Sequence, residues 1–133
     1  NISSAIGEAP IPLYTTYGAS KAFHTFLSEA LSVEYESKGI YIQTVSPNQV
    51  STKITTNVTL PIIAVTPEDF VSAAIRTVGI EHYTNGHWKH KLFAYFTHWG
   101  LTILGQRLYM KVAMKASLDM RQQYYTLNNL NDG

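Results

Sequence analysis

A long helical pattern lies between two short apolar segments in the first third of the chain. Apolar residues recur at helical spacing from Thr16 to Lys38, and Gly39 is suited to end that helix. Residues 1–4 are predicted to end a buried strand, and residues 40–45 are rich in the β-branched and aromatic side chains typical of strands. A strand, a helix and a second strand in this order predict a crossover between parallel strands of an α/β fold.

The rest of the chain is predicted to be mostly helical. Thr66 is suited to cap a helix that starts at Pro67, and the apolar stripe of this helix extends to Val78. Residues 92–104 contain no Asp, Glu, Lys or Arg, and a further helical pattern runs through Leu118. These residues predict a helical apolar tail, which would pack on the domain core, cover a hydrophobic substrate or lie in a membrane interface.

Composition excludes several classes of function. The chain of 133 residues has no cysteine, which excludes disulfide frameworks and thiolate chemistry. Ten Lys and Arg stand against nine Asp and Glu, without a basic block, so we expect no nucleic-acid partner. His87 and His90 are three residues apart but lack a carboxylate partner at ligand spacing. We therefore predict no metal site and interpret these histidines as surface or core residues.

Tyr17 and Lys21 lie four residues apart at the start of the first predicted helix. Positions i and i+4 share one face of a helix, so the ammonium is expected near the phenol. An unperturbed tyrosine has a pKa of about 10, and a nearby cation stabilises the phenolate form. A hydroxyl from Ser3 or Ser4 would hold a carbonyl oxygen while the proton moves. The alternative interpretation is a surface helix pair without function, because Tyr and Lys at this spacing are common.

Several short runs, taken together, resemble the carboxyl half of a short-chain dehydrogenase/reductase. Within that family they are most similar to the microsomal 17-beta-hydroxysteroid dehydrogenases and the very-long-chain 3-oxoacyl-CoA reductases. The runs are Asn1-Ile2-Ser3-Ser4, Tyr17-Gly18-Ala19-Ser20-Lys21-Ala22-Phe23, Glu34-Tyr35, Ile42-Gln43, Asp69-Phe70-Val71 and Thr84-Asn85-Gly86. The resemblance implies the carboxyl-terminal part of a doubly wound parallel-sheet, Rossmann-like domain, with residues 1–86 as its catalytic half and residues 87–133 as a helical extension.

The resemblance also implies an NAD(P)-dependent oxidoreductase that interconverts a ketone and a secondary alcohol on a hydrophobic substrate, either a steroid 17-ketone or a long-chain 3-oxoacyl-CoA. Tyr17 would exchange the proton, Lys21 would stabilise its phenolate and bind the nicotinamide ribose, and Ser4 would polarise the carbonyl. In the family the serine stands thirteen positions before the tyrosine, which selects Ser4. Tyr14 is excluded because glycine, not lysine, follows four residues later.

The segment after the second predicted strand resembles the part of the family that contacts the nicotinamide end of the cofactor. The matching residues are Pro47, Val50 and Thr52, and Asn48 stands where many members have glycine. NADPH is expected in preference to NADH. Tyr17 and Lys21 are expected to share in holding the cofactor.

The glycine-rich cofactor turn and the tetrad asparagine of the family are expected upstream of Asn1. We therefore expect the chain to be a fragment that is inactive in isolation. The alternative is a non-catalytic truncated product that acts only as an interaction or membrane-surface module. The resemblance further implies a location at the endoplasmic reticulum membrane, a hydrophobic small-molecule partner, and a homodimer formed through the long helix.

Overall fold

The computed structural model describes residues 1–53, 55 and 62–127. A 3-10 turn, Ala5–Gly7, precedes the regular elements. These follow in the order α1 (Thr15–Glu36), β1 (Thr44–Val45), α2 (Pro67–Ile75), β2 (Tyr83–Thr84), α3 (Trp88–Leu104) and α4 (Gln106–Leu127). The described residues combine helices with a small parallel sheet, so the predicted α/β class is confirmed at this level.

The predicted strand–helix–strand order at the amino-terminal end is present in part, because the first segment joins the sheet only through a bridge at Ile2, which is 60% exposed rather than buried. Ile2 bridges Val45 in parallel, and β1 pairs in parallel with β2 on its other side, with Thr44 opposite Tyr83. The helix α1 connects the first two of these segments. Gly39, with φ 72°, follows the end of α1, as predicted for a left-handed stop. The doubly wound sheet and the division at residue 86 stay predictions.

The predicted strand over residues 40–45 is too long, because only Thr44–Val45 joins the sheet. Residues 41–43 are instead held by side chains. Tyr41 stacks on His82 with ring centroids 4.6 Å apart, and the Gln43 amide donates to the carbonyl oxygens of Thr77 and Glu81 at 3.0 and 2.8 Å. Ile40 and Tyr41 are exposed, so the β-branched and aromatic pattern indicates neither a buried segment nor ladder pairing before Thr44.

The helix α2 begins where its sequence predicts. Thr66 caps it by accepting from the Asp69 N–H at 3.1 Å, and Pro67 occupies its first turn. It ends at Ile75 rather than at Val78, and a turn that contains Gly79 follows it. The strand β2 was not predicted, since a strand of two residues carries no periodic signal.

The carboxyl-terminal third forms two helices rather than one continuous tail. Residues 92–104 lie inside α3 and the helical pattern through Leu118 lies inside α4. Gly105, at φ 73°, separates the helices, and its N–H donates to the Leu101 carbonyl at 3.0 Å. Within the described residues, neither these helices nor any other has the length and apolar character needed to cross a membrane.

Candidate active site

The serine-bearing turn stands at the end of the first sheet segment. Ser4 is buried and its backbone is extended, with φ −162° and ψ 150°. Its Oγ accepts from the Ile6 N–H at 3.3 Å and so caps the 3-10 turn. The Ala5 N–H donates to the Pro47 carbonyl at 2.9 Å, which joins this turn to the chain that leaves β1. Because a hydroxyl also donates, the Ser4 O–H remains able to bind a carbonyl oxygen.

The two neighbouring serines face different surroundings. Ser3 donates its Oγ hydrogen bond to the Lys21 carbonyl at 2.8 Å and lies 2.7 Å from Thr25 Oγ1. It thus ties the sheet segment to α1. Successive side chains of an extended segment point to opposite sides, and Ser4 lines a cavity on the other side. Ser4 therefore faces the cavity while Ser3 is engaged with α1, and the catalytic role of Ser4 stays a prediction.

Two glycines let the serine-bearing turn approach α1 closely. A Cβ on Gly7 would lie 2.8 Å from Ala22 N and from Lys21 C, closer than real Cβ contacts. A Cβ on Gly18 would lie 3.1 Å from the Ile6 carbonyl oxygen. The turn and the first two turns of α1 are therefore in backbone contact, and this contact sets the position of Ser4 relative to the residues of α1.

Tyr17 and Lys21 lie on successive turns of α1, as predicted. The Tyr17 side chain is 46% exposed and lines the same cavity as Ser4. The Lys21 ammonium lies 5.6 Å from the centroid of the Tyr17 ring and donates to the Ile2 carbonyl at 3.3 Å. The structure therefore brings Ser4 and Tyr17 to one cavity and places Lys21 beside Tyr17.

The cavity has a volume of about 1010 Å³ and extends from the serine and tyrosine to α3 and α4. Among the described residues its wall includes Val50, but not Pro47 or Thr52. Pro47 is linked to the serine-bearing turn, and the Thr52 N–H donates to Thr55 Oγ1 at 2.8 Å. The aromatic and aliphatic part of the wall includes Ile6, Ile11, Leu13, Phe93, Phe96, Val112, Met120 and Tyr124.

Glu8 is a residue that the sequence did not single out. Its carboxylate accepts from Ser46 Oγ at 2.7 Å, from Asn85 Nδ2 at 2.9 Å and from the Tyr83 hydroxyl. Burial, together with the hydrogen bond to Glu8, raises the pKa of Tyr83 above its usual range. This carboxylate therefore joins the serine-bearing turn to the ends of β1 and β2. No local signal marks it, because its partners lie up to 77 positions away.

His90 is the one histidine of the described chain with a buried side chain, at 1% exposure. Its Nδ1 accepts from the Asn48 N–H at 3.2 Å, and its Nε2 lies 3.2 Å from the Gln49 carbonyl oxygen. The ring also stacks on Phe70 with centroids 5.6 Å apart. Burial lowers the pKa of His90, so the neutral imidazole is favoured. The sequence identified it only as a surface or core histidine.

No group of three His, Cys, Asp or Glu residues that could hold a metal ion occurs in residues 1–53, 55 and 62–127. The arrangement offers instead a phenol and a hydroxyl on the wall of an apolar cavity, with an ammonium beside the phenol ring. Such a set can move a proton and polarise a carbonyl.

A comparison with known proteins relates the amino-terminal part of this chain to a protein family. Residues 1–61 match the short chain dehydrogenase family. The match covers 61 of the 133 residues. The matched segment contains Ser4, Tyr17 and Lys21, so the similarity to that family includes residues on one part of the cavity wall.

Sequence similarity to curated proteins extends over nearly the whole chain. The very-long-chain 3-oxoacyl-CoA reductases of Macaca fascicularis and Anas platyrhynchos are 41% and 42% identical over 124 residues, which is 93% of this chain and 38% of each relative. The Bos taurus reductase is 39% identical over 131 residues, or 98% of this chain and 41% of that relative. The chain thus spans about two fifths of the length of these relatives. No solved structure matches it.

Proposed function

We propose that the full-length protein containing this chain is an NADPH-dependent reductase that converts the ketone of a long-chain 3-oxoacyl-CoA into a secondary alcohol. The observation that carries the proposal is the cavity that joins Ser4 and Tyr17 to an apolar wall. The names of the similar proteins, which are very-long-chain 3-oxoacyl-CoA reductases, support this choice of substrate.

The donor groups beside the cavity suit the nicotinamide end of the cofactor. The Tyr17 hydroxyl and the Lys21 ammonium lie on adjacent turns of α1. The ammonium can donate to the vicinal hydroxyls of a ribose, and the phenol oxygen can accept from one of them while its own proton faces the substrate. The Lys21 ammonium has three donors, of which one is used by the Ile2 carbonyl. The loop through Val50 reaches the same cavity wall. When bound, the nicotinamide supplies the hydride.

In this mechanism the residues of the chain handle the carbonyl oxygen. Ser4 donates its O–H to that oxygen and so polarises the carbonyl. Tyr17 gives its proton to the same oxygen as the carbonyl carbon becomes an alcohol, and it takes the proton back in the reverse direction. Lys21 stabilises the phenolate that remains on Tyr17, since its cation lies beside that ring.

The apolar wall contributed by α3 and α4 is where we place the hydrophobic part of the substrate. Phe93 and Phe96 from α3 and Val112 from α4 line the cavity opposite the catalytic group. Burial of apolar surface contributes about 25 cal/mol per Å², so each further methylene in contact with this wall should strengthen binding. A steroid 17-ketone is the other substrate compatible with an apolar wall.

The assembly and location of the full-length protein are further parts of the proposal. We place it at the endoplasmic reticulum membrane, where Trp88, Tyr95 and Trp99, all exposed on α3, would contact the lipid surface. Phe23 and Phe26 are exposed on α1 and would form part of a homodimer contact. Together with upstream strands, the parallel sheet of this chain would complete a doubly wound domain.

The decisive experiment is a substrate series with the purified full-length protein. NADPH consumption would be measured with 3-oxoacyl-CoA thioesters of increasing chain length, with a 17-keto steroid, and with NADH in place of NADPH. We expect turnover of the thioesters, with a KM that falls as the chain lengthens. If only the steroid is reduced, the steroid 17-ketone takes the place of the 3-oxoacyl-CoA as the substrate. If neither compound is reduced, the proposal is refuted.

A further inference from the structure

A loop and a helix that are far apart in sequence meet at the buried imidazole of His90. The loop is residues 47–50, which leave β1 and reach the cavity, and His90 lies in the first turn of α3. The two hydrogen bonds at this meeting point involve backbone groups of consecutive loop residues, Asn48 and Gln49, and they use both nitrogens of one ring. A residue that binds a loop in this way fixes its backbone without entering the cavity.

We propose that His90 is a positioning residue for the cofactor loop, residues 47–50. Its neutral ring accepts the Asn48 N–H at Nδ1 and donates the Nε2–H to the Gln49 carbonyl, and so sets the path of the backbone that carries Val50 to the cavity. This inference rests on the proposed function, since the loop is proposed to contact the nicotinamide end.

The tautomer follows from the geometry. A backbone N–H can only donate, so Nδ1 must be unprotonated to accept it, and a carbonyl oxygen can only accept, so the proton lies on Nε2. Protonation of the ring would turn Nδ1 into a donor that faces the Asn48 N–H. The bond from the Asn48 N–H is therefore compatible only with the neutral form of His90, whereas the bond from Nε2–H to the Gln49 carbonyl is possible in both forms.

The surroundings of His90 favour this neutral form. Burial lowers its pKa, and His87, whose ring centroid lies 5.9 Å away, is the titratable neighbour on the same helix. The groups that face His90 from the loop and from α2 are the uncharged backbone of Asn48 and Gln49 and the ring of Phe70. Backbone groups of Ile63 and Asn85 also lie at the ring, and like the Gln49 carbonyl they favour the protonated form, but burial outweighs them.

The test compares three variants of the full-length protein. His90→Phe keeps a ring against Phe70 but removes both loop bonds, whereas His90→Asn keeps an acceptor near Nδ1 and His90→Gln keeps a donor near Nε2. His98→Phe is the matched control, since His98 is exposed on the same helix. The readouts are NADPH affinity from equilibrium binding, kcat and KM as functions of pH, and hydrogen exchange of the amides of residues 47–50.

We expect His90→Phe to weaken NADPH binding about tenfold, which corresponds to the loss of one or two hydrogen bonds, and to speed exchange of the Asn48 amide. His90→Asn should restore protection of that amide and most of the affinity. Wild-type NADPH affinity should fall at acid pH, and that fall should be smaller in His90→Asn. The control should match the wild type.

The outcomes separate this inference from the proposed function. A wild-type protein that neither binds NADPH nor reduces the thioester refutes the proposed function. The inference fails if the wild type is active while folded His90→Phe has wild-type NADPH affinity and wild-type amide exchange. If His90→Phe does not fold, the Asn and Gln variants decide, because unchanged affinity, pH profile and exchange in both would overturn it.

Discussion

The serine- and tyrosine-bearing region and the two carboxyl-terminal helices line one cavity but are held by different contacts. In the first region, glycines at positions 7 and 18 bring backbone against backbone, and Ser3 is buried with hydrogen bonds across the gap. The helices α3 and α4 contribute mainly apolar side chains, some exposed and some half-buried, to their part of the wall. The position of Ser4 relative to α1 is thus set by tight backbone contacts, and the apolar part of the wall by side-chain volume. Substitutions in the two regions should therefore alter different quantities.

The largest effect is expected from Tyr17→Phe in the full-length protein. This change removes the proposed proton donor but leaves the ring, and general acid catalysis contributes about 10²–10⁴-fold to rate. We expect kcat to fall by about 10³-fold while NADPH binding changes much less, as measured by NADPH consumption and by equilibrium binding. Tyr35→Phe, on the same helix α1, is the control and should keep the wild-type kcat. A Tyr17→Phe enzyme with near wild-type turnover would remove Tyr17 from the mechanism.

The sequence predicts features that depend on neighbouring residues, and it does not predict contacts between residues far apart in the chain. The helix α1, its stop at Gly39 and the Thr66 cap were predicted because each depends on residues close together in sequence. The pairing of Ser4 with Tyr17 was inferred from the family spacing, and the structure places both at one cavity. The strand over residues 40–45 was predicted too long, because side-chain contacts with residues 77–82 took the place of ladder pairing.

The contacts of Glu8 and His90 are not predicted from the sequence, for a physical reason. Glu8 meets Ser46 and Asn85 only after the chain has folded, and His90 binds backbone groups 41 and 42 positions away. Backbone N–H and C=O groups are the same at every non-proline residue, so a side chain that binds them leaves no partner to recognise in the sequence. Such positioning contacts require a structure to be found.

The second prediction concerns the close approach at Gly7. Gly7→Ala would place a Cβ 2.8 Å from backbone atoms of α1 that cannot rotate away. Overpacking of this kind typically costs about 1–3 kcal/mol, and separation of the turn from α1 would also displace Ser4. We expect a lower free energy of unfolding in denaturant titration and a lower kcat in the full-length protein.

Gly100→Ala is the matched control for that prediction, because it makes the same change in the other region. A Cβ on Gly100 would meet Tyr109 Cδ2 at 4.0 Å, an ordinary contact. Gly inside a helix is less favourable than Ala by about 1 kcal/mol, so this variant should be more stable than the wild type. Equal effects of the two substitutions would contradict the difference between the regions.

The smallest effect is expected from the titration of His90, which joins α3 to the backbone of Asn48 and Gln49. Its lowered pKa means that the folded state binds fewer protons than the unfolded state between that pKa and the ordinary value of about 6.5. The free energy of unfolding should therefore rise with pH through this window, by at most about 1.4 kcal/mol per pH unit for one proton, and level off above it. Denaturant titrations of the full-length protein between about pH 5 and about pH 8 would measure this slope.

His90→Asn cannot titrate, so its slope should be smaller than that of the wild type even if its stability is lower at every pH. Equal slopes in the two proteins would show that the folded state holds the His90 proton as readily as the unfolded state, which is incompatible with an Nδ1 that accepts the Asn48 N–H.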